Sequence, residues 1–173
     1  MTLGDRRGRA RGEAKQPLPL HERALGLLAV RQRSRRELRS RLLRAGFEPE
    51  AIEVELANLE AVGLIDDEAF ARSVVEQAAG RRMQGRRAVA ASLSAKGVDR
   101  GTIERALEEI DGPGEEERAF ALARTRVSRL AGAPPEAAAR RLTDFLARRG
   151  YAPGLARRAA AAALAVDPDP GDA

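Results

Sequence analysis

The sequence has no cysteine and no tryptophan, and only one histidine, one tyrosine and four phenylalanines in 173 residues. Without cysteine it can form neither a disulfide framework nor a thiolate zinc site, which fits a reducing compartment. With His21 as the sole imidazole, the commonest nucleophile–base pairs are excluded too. Aromatic residues at 3% cannot centre a core, so Leu, Val, Ile and Ala must fill it. No stretch approaches the run of roughly 18 apolar residues that spans a bilayer. The N-terminus, MTLGDRRGRARGEAKQP, is basic but lacks the apolar segment of a secretory signal. These absences predict a cytoplasmic chain that is not an enzyme and holds no cofactor or metal.

Sustained apolar–polar alternation is missing as well, so no strand is expected. What is present is charge and helix-forming residues. Charged side chains make up 33% of the chain, and the net charge is +5. Residues 1–15 carry +3 and the last seven carry −3, through Asp167, Asp169 and Asp172, which leaves +5 on the body. A basic body predicts an anionic partner, nucleic acid or an acidic protein surface, against the plainer reading of simple solubility.

Break and cap residues divide the chain into helices. The first is expected over about 21–32, with Leu25, Leu28 and Ala29 on one face. Ser34-Arg35-Arg36-Glu37 has the capping-box spacing, in which Ser34 accepts from residue 37 and Glu37 reaches back. The helix it opens ends at Ala45, before Gly46, and presents Leu38, Leu42 and Ala45 as its stripe. Pro49 opens a third helix carrying Ile52, Leu56 and Leu59, which Gly63 closes. Asp66 caps a fourth, with Phe70, Val74 and Val75, that stops near Gly80. Arg86 to Lys96 is a fifth, and Asp99 caps a sixth with Ile103, Leu107 and Ile110. After the Gly112-Pro113-Gly114 break come helices over 115–130, 136–149 and 153–165. The expectation is all-α: nine helices in three tandem three-helix units (21–65, 66–112 and 115–166), stacked into an elongated, curved monomer. A disordered basic arm (1–20) and an acidic tail (167–173) flank them.

The three groups repeat one another. Gly46, Gly97 and Gly150 lie 51 and 53 residues apart. Each has Leu four residues before it (Leu42, Leu93, Leu146) and an apolar residue after it (Phe47, Val98, Tyr151). Eight residues before lie Leu38, Val89 and Leu142; six after, Ile52, Ile103 and Ala156; ten after, Leu56, Leu107 and Ala160. One helix face thus leads into a glycine turn, and the next helix returns a matching stripe. A unit of this size buries too little surface to stand well alone, so the units are expected to stack. The final helix, rich in alanine from Ala156 to Ala163, has the least bulk to bury.

The cations cluster. Arg31, Arg33, Arg35, Arg36, Arg39, Arg41 and Arg44 crowd the first unit against Glu37. Arg36 aligns with Arg87 and Arg140, and further groups stand at Arg81-Arg82, Arg86-Arg87, Lys96, Arg140-Arg141 and Arg148-Arg149. A cation recurring at one helix position suits phosphates or carboxylates that repeat along a filament; the simpler reading is a solvated face. These residues, Arg41 aside, form the candidate partner-binding set. Other chemistry is thinner. Asp66-Asp67-Glu68 could hold a hard cation, but acids at a helix start more simply cap it. His21 reads as a surface or capping residue. Gly80-Arg81-Arg82-Met83-Gln84-Gly85 has phosphate-loop glycines but lacks the Lys-Ser/Thr and the preceding strand.

Gly63-Leu64-Ile65-Asp66-Asp67-Glu68-Ala69-Phe70-Ala71 resembles the signature segment of the RecX regulatory proteins. So do Gly85-Arg86-Arg87 with Leu93-Ser94-Ala95-Lys96-Gly97-Val98, Arg33-Ser34-Arg35-Arg36-Glu37-Leu38 with Gly46-Phe47, and Phe145-Leu146-Ala147-Arg148-Arg149-Gly150-Tyr151. The resemblance spans about residues 21–165. It implies binding to RecA, within or across the groove of the RecA–DNA filament, where the arginines are expected to meet acidic RecA surface or DNA phosphates. It also implies restraint of RecA strand exchange, ATP hydrolysis and co-protease activity in recombination, repair and the SOS response. The Arg-rich arm and the alanine-rich last helix depart from the pattern. Two other readings stay open: a helix-turn-helix regulator of transcription that binds duplex DNA, and an adaptor that does not touch DNA.

Overall fold

The computed structural model describes residues 18–80, 82–108 and 113–165. Most of the N-terminal arm, the acidic tail, Arg81 and Ile110 fall outside them. The described residues form nine α-helices and no strand: α1 (Leu20–Val30), α2 (Arg35–Arg44), α3 (Pro49–Ala61), α4 (Asp67–Ala79), α5 (Arg86–Ala95), α6 (Arg100–Glu108), α7 (Pro113–Val127), α8 (Pro135–Arg148) and α9 (Pro153–Ala165). A 3-10 turn over Ser128–Leu130 continues α7.

Local signals set the boundaries. Ser34 Oγ accepts from Glu37 N–H at 3.1 Å, and Asp66 accepts from Glu68 and Ala69 N–H at 2.8 and 2.9 Å. Asp99 accepts from Thr102 N–H at 3.0 Å. Pro49 starts α3 and Pro135 starts α8, where a missing N–H costs nothing. Pro113 likewise begins α7, two residues earlier than the sequence predicts. The capping box at α2 is only half made: Glu37 turns its carboxylate to Arg31 and Lys96 instead of back to Ser34.

The helices close three separate apolar cores. Leu38, Leu42, Ile52, Leu56 and Leu59 fill the first; Val89, Leu93, Val98, Ile103 and Leu107 the second; Leu142, Leu146, Tyr151, Ala156 and Ala160 the third. Each fully buried leucine contributes about 1.5–3 kcal/mol. Two expected faces are corrected. On α1 the fully buried residue is Ala24, while Ala29 is exposed. On α2 Ala45 is also exposed, because it is the helix's C-terminal cap and not part of its stripe. The third unit is not thinly packed. Ala156, Ala159, Ala160 and Ala163 are all buried, and such small side chains let α9 lie close against α7 and α8.

The second helices of the units meet end to end. The turn closing α5 abuts the N-terminus of α2, where Ser34 Oγ donates to Lys96 O at 2.5 Å. The turn closing α8 abuts the N-terminus of α5: Gly85 N–H donates to Arg149 O at 2.8 Å, and Arg87 N–H to Gly150 O at 3.1 Å. An acid from the following unit completes each corner. Asp67 accepts from Arg35 N–H, and Glu115 from Arg86 N–H, both at 2.8 Å. Donors left over at one helix end thereby satisfy carbonyls left over at another. The positive end of one dipole meets the negative end of the next. Tyr151, only 1% exposed, ties the second junction by donating to Met83 O at 2.9 Å. At α8 the N-cap and first helical positions are Pro134 and Pro135, which carry no N–H.

Candidate partner-binding surface

The structure sorts the predicted cations into two groups. The first holds the fold together. Arg33 is 6% exposed, and its Nε donates to Leu27 O at 3.0 Å, satisfying a carbonyl in the last turn of α1. Burial, and then the charges of Arg31 and Arg41, push its pKa down. A guanidinium so placed offers nothing to a partner. Arg31 and Lys96 both reach Glu37, at 2.9 and 3.3 Å. The Arg31 hydrogen bond, helped by Lys96, holds the Glu37 carboxyl down to about 2. Arg35 and Arg39 flank Glu53, and Arg35 also reaches Glu60, tying α2 to α3. Arg149 donates to Arg82 O at 2.9 Å across the second junction. Arg86 is half-buried at that junction.

The second group is exposed and touches no acid in any ion pair found among the described residues. It comprises Arg36, Arg44, Arg82, Arg87, Arg140, Arg141 and Arg148. Arg36, Arg87 and Arg140 stand at equivalent positions of α2, α5 and α8, each eight residues before the end of its helix. Arg36 is steered by the junction, because its aliphatic stem fills the space where a Cβ on Gly97 would lie. Arg81 lies outside the described residues.

The other candidates are absorbed locally. Asp66 caps α4, Asp67 accepts from Arg35, and Glu68 pairs with Arg105 at 2.6 Å. His21 is exposed, with Nδ1 2.7 Å from Glu55.

Two functional candidates are absent from the sequence set. Arg126 and Arg129 join Arg141 and Arg148 around a hollow of about 260 Å³ between the end of α7 and α8, floored by Leu130, Leu142 and Phe145. Spacing offers a faint signal, since 126, 129 and 130 share one helical face, as do 141, 145 and 148. Nothing in the sequence says that those faces meet. Among the described residues no helix is long and apolar enough to cross a membrane.

Three family models match the chain: the RecX first three-helix domain over residues 21–59, the second over 66–107 and the third over 114–160. The chain is 42% identical over 130 residues to the regulatory protein RecX of Amycolatopsis mediterranei, spanning 75% of this chain and 74% of that protein. It is 40% identical over 144 residues to the regulatory protein RecX of Mycobacterium avium, spanning 83% of each. Its fold matches the crystal structure of RecX from Lactobacillus salivarius with a TM-score of 0.77 at 20% identity, covering 85% of this chain and 96% of that one. The chain belongs to the RecX family of regulatory proteins.

Proposed function

We propose that this chain binds RecA and its nucleoprotein filament and restrains RecA's recombinase, ATPase and co-protease activities in recombination, repair and the SOS response. It acts in the cytoplasm as a monomer, by binding and not by catalysis, and needs no cofactor. One observation carries the reading beyond family membership: Arg36, Arg87 and Arg140 recur, exposed and unpaired with acids, at equivalent points of three helices joined end to end. Cations in that arrangement suit acidic side chains or phosphates that repeat along a filament. Bound there, the chain would occupy space that a second DNA strand needs.

In the first unit the third helix disfavours the helix-turn-helix alternative. A recognition helix enters a groove walled by phosphates. Yet α3 carries Glu50, Glu53, Glu55 and Glu60 and no cation.

The test is binding of the parent and of the Arg36→Glu/Arg87→Glu/Arg140→Glu variant to RecA filaments on single-stranded DNA over a range of salt. The variant should bind more weakly and with a shallower salt dependence, since fewer ionic contacts remain to be screened. Identical salt slopes would overturn the assignment of this face.

A further inference from the structure

We propose that the hollow in the third unit is a docking site for an acidic, amphipathic segment of a partner protein, which inserts an apolar side chain between α7 and α8. The proposal rests on the reading of this chain as a regulator that acts by binding, and it names the class of partner for one surface.

Charge is the first argument. Arg126, Arg129, Arg141 and Arg148 line the same hollow, and no acid lines it. None of the four takes part in an ion pair found among the described residues. The acids of α7 stand in its first turns, Glu117 preceding Arg126 by nine residues, or about 13 Å along the axis. On α8, exposed Asp144 lies within a turn of Arg141 and Arg148 but does not line the hollow, and it pairs with neither in any ion pair found among the described residues. Four like charges around one hollow repel one another, and a bound anion would relieve that repulsion.

The floor decides which anion. Leu130, Leu142 and Phe145 are apolar and offer no side-chain donor or acceptor to read the edge of a base. Nor is the ring of Phe145 a bare stacking platform. The Arg126 guanidinium lies 4.4 Å from its centroid and that of Arg149 5.5 Å. Nucleic acid would therefore gain phosphate contacts here but lose the base stacking that holds a single strand. A leucine or phenylalanine side chain gains instead by burial against Leu130 and Leu142, while neighbouring carboxylates meet the arginine rim. At about 260 Å³ the hollow is also smaller than the ~300–1,000 Å³ of a small-molecule site. It suits a side chain anchored from a longer segment laid along the groove.

The probe is a short fluorescein-labelled peptide of glutamates with Leu and Phe at helical spacing, titrated with the full chain at low salt and followed by anisotropy. Two comparison probes are the same peptide with Ser for Leu and Phe, and a labelled oligothymidylate. The parent should bind the amphipathic peptide, and the serine peptide about tenfold more weakly. Arg129→Glu/Arg141→Glu, which changes two exposed residues, should weaken the amphipathic peptide by about tenfold or more, the equivalent of ~1.4 kcal/mol. Arg23→Glu/Arg72→Glu, which reverses two exposed cations of α1 and α4 far from the hollow, should leave it within about twofold. Equal binding of the serine peptide overturns the apolar anchor. An unchanged affinity in Arg129→Glu/Arg141→Glu, or tighter binding of oligothymidylate than of peptide through those arginines, overturns the site. RecA ATP hydrolysis is not read in this assay, so failure of the filament reading and failure of this site give separate signals.

Discussion

Gly150 and Ala88 come so close that a Cβ added to Gly150 would lie 2.3 Å from the Ala88 backbone nitrogen. Gly150 closes α8 with φ +93°, and Ala88 lies in the first turn of α5, so the contact is the second junction itself. Gly46 closes α2 in nearly the same conformation, φ +89°, but nothing lies within 4 Å of its Cβ position. The two glycines separate the cost of conformation from the cost of contact. Gly46→Ala should lose about 1 kcal/mol, the left-handed penalty alone. Gly150→Ala should lose about 2–4 kcal/mol, since the backbone across the junction must also move. Urea denaturation of both variants measures the difference; equal losses would mean that the junction is not tightly packed.

Arg33 and Arg36 should behave as opposites despite their proximity in sequence. Arg33→Ala removes a buried guanidinium and the partner of Leu27 O, and should cost about 1–3 kcal/mol of stability. The folded fraction should still bind filaments normally. Arg36→Ala should cost less stability than Arg33→Ala, losing only the packing of its stem on Gly97, and should weaken filament binding. Thermal unfolding and filament co-sedimentation on both variants check this, and a binding defect in well-folded Arg33→Ala would contradict it.

Glu37 makes the first junction sensitive to acid. Its folded pKa, about 2, lies below the ordinary 4.5. A depressed carboxyl contributes stability that is fully present above its unfolded pKa. That contribution is lost as pH falls from about 5 toward 2. Arg31 is well exposed, so solvent screening reduces the contribution to about 1–2 kcal/mol. Glu37→Gln should be less stable than the parent at pH 7, with the gap closing toward pH 2. Asp67 works in the other direction, because burial raises its pKa and protonation relieves that cost. Stability against pH for parent and Glu37→Gln tests the account; parallel curves would contradict it.

The sequence made the first two units legible because their cores rest on leucines, isoleucines and valines at fixed spacing from a glycine turn. The period alone assigns Leu38, Leu42, Ile52 and Leu56 to one interior. It underrated the third unit, because what a buried alanine contributes depends on how near the facing helix comes. Ala159 and Ala163 pack well against α7 and α8, and no periodicity states that distance. The arginines divided for a similar reason. Arg35 and Arg39 are spent on Glu53 and Glu60 of another helix, and the hollow around Phe145 needs two helix faces to meet. Repeat alignment did single out Arg36, Arg87 and Arg140, since equivalent positions in equivalent units share their exposure.

The most direct test of the central claim is ATP hydrolysis by RecA on single-stranded DNA, with this chain added at amounts well below one per RecA. The account predicts a fall in rate, because a chain acting along a filament affects many subunits. It predicts a smaller fall with Arg36→Glu/Arg87→Glu/Arg140→Glu. An unchanged rate with the folded parent chain at all ratios would contradict the claim that it regulates RecA on the filament.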